Sequence, residues 1–313
     1  SWQGRNVPAG KERTTISDAI QDFIEAHCRH LRSGDQIAWL LRKHIISRWG
    51  TRKVASIEHR DVVALLHEVQ GDDKAKRIRI TNSVRMVLGR FFKWAISEAL
   101  IPSRENQVAG TEPRRGEAHR ERVLTDAEIK AVWGAANDWP YGSIIRLLLA
   151  TGQRRAEVGG MRWGELDLEN RLWRLPRGRT KSKRDHVVPL NSLAMEILTA
   201  CPRIEGRDGV FSTRRTKGEW AVFAGWSAAK YRLDARCNVP DWRLHDLRRT
   251  VATGMQAAGV MPHVVAAVLN HSQAGLFGVT AIYLRDRQEE AKREALELWS
   301  QRLRSIVDEG SER

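Results

Sequence analysis

One interruption in the hydrophobic pattern limits what this chain can become. From Ile16 to about Leu100, apolar residues recur at spacings of three and four, as in helices that bury one face. Over residues 102–122 Pro, Gly, Glu and Arg dominate and apolar residues are sparse, as in a connection between folding units. Helical stripes then resume, broken at 166–190 by two strand-like runs. The 313 residues suit two domains. The expectation is a helical bundle over 1–110, a linker at 111–122 and a second domain over 123–313. The fold class is mainly α with a small β-hairpin or sheet (α+β).

In the first part, Ser17 is placed to cap a helix running through Ile20, Phe23, Ile24 and His27. Ile37, Leu40, Leu41 and Ile45 mark a second stripe, and Val62, Leu65, Leu66 and Val69 a third that Gly71 stops. Ile80, Val84, Val87, Leu88, Phe91 and Phe92 mark a fourth, enough for a small bundle. The second part opens at Thr125 and Glu128, a capping-box pair. Leu172–Leu175 and His186–Leu190 flank a polar turn, as in a hairpin. Beyond Asn191 the pattern is again mostly helical.

Net charge says what such a chain meets. It carries 53 Lys and Arg against 38 Asp and Glu, a formal +15. Residues 1–120 hold 22 basic and 14 acidic side chains, and 121–313 hold 31 and 24, so both parts are basic. A two-sided clamp on nucleic acid fits that balance better than a charged tail; an inert basic surface is the plain alternative. Cys28, Cys201 and Cys237 are widely spaced with no Cys-x-x-Cys pair, which argues against a disulfide framework or a zinc site and suits a reducing cytoplasm. No apolar run approaches the roughly 18 residues of a membrane span, and no signal peptide is recognised. No metal, cofactor or membrane partner is expected. The 12 Trp read as packing anchors, with no function as a class.

Four separated clusters carry chemistry: Thr151-Gly152-Gln153-Arg154-Arg155-Ala156-Glu157, Arg179-Thr180-Lys181, His245-Asp246-Leu247-Arg248, and Asn270-His271 followed by Tyr283. Cutting a phosphodiester without metal needs cations on its non-bridging oxygens, a hydroxyl nucleophile in line and an acid for the departing oxygen. Arginine suits the first task because its planar fork stays charged and donates two parallel hydrogen bonds. His245 and Arg248, three apart, share one face of a helix. A helix-end arginine, a solvated basic turn, a histidine near helix carbonyls and a packing tyrosine are the ordinary readings of each cluster alone.

In this order the clusters resemble the tyrosine recombinase (phage integrase) family, from about Thr14 to Leu303. Lys181-x-Lys183-x-x-His186-x-Val188-Pro189-Leu190 is similar to the hairpin of its P4-type members. The resemblance implies a helical core-binding domain that clamps DNA, followed by a catalytic domain. It assigns Arg154, in Thr-Gly-x-Arg-x-x-Glu, to the scissile phosphate, with Glu157 orienting basic neighbours. Propensity alone does not separate Arg154 from Arg155. His245 would be the general base, Arg248 the second phosphate-binding arginine and His271 a phosphate donor, with Asn270 standing where many members have Gly. Lys181 would protonate the leaving 5′ oxygen, with Lys183 as its rival. Tyr283 would be the nucleophile, forming a 3′-phosphotyrosyl bond. Arg177, Arg179, Lys183 and Arg184 would grip DNA. Double-stranded attachment sites, a tetramer on paired sites, and bending or directionality factors are the implied partners. The additional arm-site-binding domain of P4-type integrases has no recognised counterpart.

The implied function is site-specific recombination that integrates or excises a mobile element, independent of metal and ATP, in a cytoplasmic, nucleoid-associated setting. Type IB topoisomerase-like relaxation and non-catalytic DNA binding are the rivals. A last stripe, Ala295, Leu296, Trp299, Leu303 and Ile306, must be buried somewhere. It packs either on its own domain or, as the resemblance suggests, on a neighbouring protomer.

Overall fold

The computed structural model describes residues 14–31, 33–101, 106–115, 120–182, 184–212, 215–216, 219–220, 222–271 and 285–308. The chain divides between Arg120 and Glu121 into two compact units.

The first unit is helical. Its opening helix α1 (Ile16–Phe23) is capped by Thr15, whose hydroxyl accepts from Asp18 N at 3.2 Å. Ser17, the expected cap, already lies inside the helix, because Ile16 N and Ser17 N donate to the carbonyls of Arg52 and Gly50. A π-helical turn, Ile24–Cys28, continues α1. Helix α2 (Gly34–Leu40) likewise runs through a π-helical turn, Leu41–Ile46, into the short α3 (Ser47–Trp49). Two longer helices, α4 (His59–Gln70) and α5 (Lys74–Ser97), follow. Gly71 stops α4 with φ +55°, a backbone that glycine adopts at little cost. Ile16, Ile20, Leu41, Leu66, Leu88, Phe91 and Phe92 are all fully buried at the centre.

Composition suggests a connection after residue 102, yet residues 106–114 belong to this unit. Asn82 exchanges two hydrogen bonds with the backbone of Arg114, at 2.9 and 2.7 Å, and Asn106 Nδ2 donates to Gly89 O. Arg85 reaches both the hydroxyl and the carbonyl of Thr111, and Val108 is buried. A polar stretch can thus be fixed by side chains of a neighbouring helix that its own composition does not announce.

The second unit opens with α6 (Asp126–Ala135), capped by the reciprocal Thr125–Glu128 pair that the sequence suggests. Helix α7 (Tyr141–Thr151) is buried along nearly its whole length. After the short α8 (Arg155–Gly159), β1 (Leu166–Asp167), β2 (Leu172–Leu175) and β3 (His186–Pro189) form an antiparallel sheet in the order β1-β2-β3. Leu175 pairs with His186 and Leu172 with Pro189, so residues 176–185 form the turn. Helix α9 (Ser192–Thr199), a two-stranded ribbon of β4 (Arg215–Thr216) and β5 (Glu219–Trp220), then α10 (Trp226–Cys237), α11 (Leu244–Ala257) and α12 (Pro262–Val268) lead to α13 (Arg285–Asp308). The α+β class is as expected. Among the described residues no helix is long and apolar enough to cross a membrane.

Helix α13 takes one of the two placements open to its stripe. Ala295, Leu296, Trp299, Leu303 and Ile306 are buried in the core of their own unit, against α7, α11 and α12. Trp299 lies over Gly254, where an added Cβ would come within 2.1 Å of Cζ3, and its Nε1 donates to Leu149 O at 2.7 Å. The stripe therefore has no free apolar face to offer a neighbouring protomer.

Candidate active site

The site begins at the end of α7. The last carbonyls of a helix lack intrahelical partners, and here other segments supply them: Trp299 Nε1 donates to Leu149 O and Asn191 Nδ2 to Ala150 O, while Thr151 Oγ1 bonds back within the helix to Leu147 O. Gly152 then turns the chain with φ +65°, packed so closely on Val251 and Leu269 that a Cβ would fall 2.9–3.0 Å from them. The chain leaves this fixed turn as Gln153-Arg154 and enters α8.

Arg154 occupies the N-cap position of α8. Its Nη1 donates to Glu157 Oε1 at 3.0 Å and its backbone N to Oε2 at 3.1 Å, while Nη2 donates to Asn270 O at 3.3 Å. Glu157 is only 2% exposed, so its carboxylate acts on Arg154 in a poorly screened setting. Arg155, the sequence rival, stacks instead over the Trp226 ring, 5.1 Å from its centroid. Two adjacent glycines admit this arrangement. A Cβ on Gly159 would lie 2.5 Å from Trp226, and one on Gly160 would lie 2.9 Å from Arg179.

Arg248, on α11, is 4% exposed. It donates to Gly152 O at 2.8 Å and also to Leu269 O. Burial, and then the charge of Arg154, lower its pKa to about 10, so it remains a cation at neutral pH. His245, one turn earlier, has its pKa lowered by burial and by the charges of Arg249 and Arg248. His271 is lowered by burial and then by Arg248, Arg154 and His245. Both rings are thus neutral near pH 7, as a base or a neutral donor must be. Asn270, before His271, takes φ +50°, the left-handed backbone that Asn tolerates better than most residues.

Lys181 lies in the β2–β3 turn with its side chain exposed. Its neighbours fix the backbone: Thr180 is fully buried and donates to Arg184 O at 2.7 Å, and Ser182 Oγ donates to Asn270 Oδ1 at 3.2 Å. Arg179, of the expected DNA-gripping set, pairs with the nearly buried Glu165 and donates to Glu157 O at 2.7 Å, which ties the turn to α8. Arg177 and Arg184 are exposed. Lys183 and Tyr283 lie outside the described residues.

Arg154, Lys181, His245 and Arg248 line one open cavity of about 600 Å³; His271 is not part of that lining but, besides its burial, lies near enough for the charges of Arg248 and Arg154 to lower its pKa. Two further lining residues were not anticipated: Trp226 under Arg155, and Trp242 under Lys230, whose ammonium is 3.8 Å from the ring centroid. Tryptophans have no sequence signature separating a cavity wall from a core, so only their contacts identify these two. Among the described residues no group of three or more His, Cys, Asp or Glu is arranged to hold a metal ion.

The phage integrase family model matches residues 122–290, more than half of the chain and all the clusters just described. The chain belongs to this family, that of the tyrosine recombinases. It is 26% identical over 294 residues to prophage integrase IntZ of Escherichia coli strain K12, covering 90% of this chain and 69% of IntZ. It is 30% identical over 164 residues to prophage integrase IntA of the same strain, covering 52% of this chain and 38% of IntA. Its fold is similar to that of a lambda integrase tetramer bound to a Holliday junction, with TM-score 0.63 and 17% identity over 89% of this chain and 85% of that one.

Proposed function

We propose that this integrase-family chain is a site-specific DNA recombinase that cuts and rejoins strands through a phosphotyrosyl intermediate. Arg154, Arg248 and His271 hold the non-bridging oxygens of the scissile phosphate, where charge builds as the nucleophile attacks. His245 accepts the proton of the Tyr283 hydroxyl. The tyrosine oxygen bonds to phosphorus, the bond from phosphorus to the 5′ oxygen breaks, and Lys181 supplies the proton that this oxygen takes up. The 3′-phosphotyrosyl ester conserves the bond energy of the backbone, and attack by a 5′ hydroxyl of the partner strand reverses the step.

The observation that carries this reading is the convergence of Arg154, Lys181, His245 and Arg248, from three separated stretches of sequence, on one cavity. A non-catalytic binding protein needs basic charge and has no use for that convergence. Type IB-like relaxation would use similar residues, but the relatives named above are integrases. The basic first unit would also contact DNA, and in the catalytic unit Arg177 and Arg184 would grip its backbone. Assembly as a tetramer on paired sites is supported by the lambda integrase tetramer on its junction. The prophage integrases among its relatives support a mobile-element origin, and an enzyme acting on chromosomal DNA would work in association with the nucleoid.

The test is incubation with nicked candidate-site DNA in EDTA, looking for a denaturation-resistant protein–DNA adduct. The chain should form it, and Tyr283→Phe should bind the DNA yet give none. An adduct that needs added Mg²⁺, or that persists in Tyr283→Phe, refutes the mechanism.

A further inference from the structure

The end of α12 is where three separated parts of the site meet. Its consecutive carbonyls at Val268, Leu269 and Asn270 accept bonds from three directions. Gln153 Nε2, at 3.0 Å, and His186 Nε2, at 3.1 Å, share the oxygen of Val268. Arg248 takes that of Leu269, and Arg154 that of Asn270. Carbonyls at a helix C-terminus lack intrahelical partners and carry the negative end of the dipole, so N–H donors and cations are held there. Asn270 adds its side chain, whose Oδ1 accepts from Ser182, the residue after Lys181. The lysine-bearing hairpin is therefore pinned at its base by His186 and at its tip by Ser182, onto the turn that holds both arginines.

Lys181 needs such support. It sits exposed on a turn, at the end of a four-carbon stem. Misplacing a reacting group by about 1 Å can cost about a hundredfold in rate. His186 suits the task because it does not ionise near neutrality. Burial, with the charge of Lys292 second, lowers its pKa to about 3. The ring therefore stays neutral, and Nε2 must carry the proton because Val268 O only accepts. Glycine would adopt the φ of +50° at position 270 without strain, but it would give Ser182 no acceptor.

We propose that His186 and Asn270 are positioning residues for the proton-transfer step, holding Lys181 in register with Arg154 and Arg248. The acid and the phosphate-binding cations then reach one phosphodiester together. The inference rests on the reading of Lys181 as the acid.

The experiment is single-turnover cleavage of candidate-site DNA carrying either the ordinary 5′ oxygen or a 5′-bridging sulfur, which leaves without needing a proton. Asn270→Gly keeps the backbone unstrained, so it tests the contact rather than the fold. It should slow ordinary cleavage by about ten- to a hundredfold, and the sulfur substrate should recover most of the loss. Ser182→Ala should behave alike, and combining the two should add nothing. His186→Leu should show the same rescue by sulfur, while His186→Gln, which keeps an N–H donor, should recover most of the ordinary rate. If Lys181→Ala is rescued by sulfur but Asn270→Gly and His186→Leu are not, the two residues are merely structural and the inference fails. Wild-type cleavage by Asn270→Gly overturns it equally. If sulfur does not rescue Lys181→Ala, the acid reading itself fails and takes this inference with it.

Discussion

Trp299 offers the sharpest test of how the catalytic unit is held together. Its side chain is 1% exposed, packs on Gly254 and donates to Leu149 O, a carbonyl at the end of the helix that presents Arg154. Truncating a buried aromatic to Ala costs about 3–5 kcal/mol, a large part of the about 5–15 kcal/mol that stabilises a typical domain. Trp299→Phe keeps most of the apolar volume but leaves the Leu149 carbonyl without its donor, at about 1–3 kcal/mol. Gly254→Ala approaches the contact from the other side. Its new methyl would sit 2.1 Å from Trp299 Cζ3, so the indole must move, at about 1–3 kcal/mol. A smaller side chain at 299 makes room for that methyl, so Gly254→Ala should cost clearly less in a Trp299→Leu background. The assay is denaturant unfolding of the full chain, following the transition of the second unit at two protein concentrations tenfold apart. The order Trp299→Ala, then Trp299→Phe, then wild type in rising stability should hold at both. A cost below about 1 kcal/mol for Trp299→Ala would refute the packing argument. A cost that shrinks at low concentration would show that another protomer covers this side chain.

Two further outcomes follow from the site. Arg154→Ala should lower the cleavage rate constant by about a hundred- to a thousandfold, the loss usual for one donor at a developing oxyanion, while Arg155→Ala, stacked on Trp226, should keep that rate within about tenfold; the reverse order in single-turnover assays would exchange their roles. His245 and His271 have folded-state pKa values below 6.5, so both are neutral above that pH and gain protons only below it. kcat/KM, which reports the free enzyme, should therefore be flat from pH 8 to about 6.5 and fall on further acidification, and an acid limb centred above 6.5 would contradict the lowered pKa of the base.

Much of the architecture is written locally. Thr125 and Glu128 announce the start of α6, because a capping box needs only residues three apart. Gly152 announces the end of α7, and Leu172–Leu175 with His186–Pro189 announce the strands, since turn stereochemistry and side-chain alternation are properties of short segments. The left-handed Asn270 is legible for the same reason. The cap of α1 is not. Ser17 is the better cap by residue type, yet the backbone bonds from residues 16 and 17 to the 50–52 segment place the start of the helix at Ile16, with Thr15 as its cap.

The candidate site divides along the same line. The resemblance to the tyrosine recombinase family, carried by the order and wording of the motifs, implies Arg154, Lys181, His245, Arg248 and His271 as a set. What separates the two adjacent arginines is that Glu157 and Asn270 hold Arg154 while Trp226 stacks under Arg155. Arg179 reads as a free cation until Glu165, fourteen residues away, is found against it. The tail stripe must be buried by its pattern alone, but its pattern says nothing of which surface buries it. That depends on Gly254 leaving room for Trp299 and on a helix end left with an unpaired carbonyl. Apart from the local Arg154–Glu157 contact, these points turn on partners farther away along the chain, and such pairings exist only once it has folded.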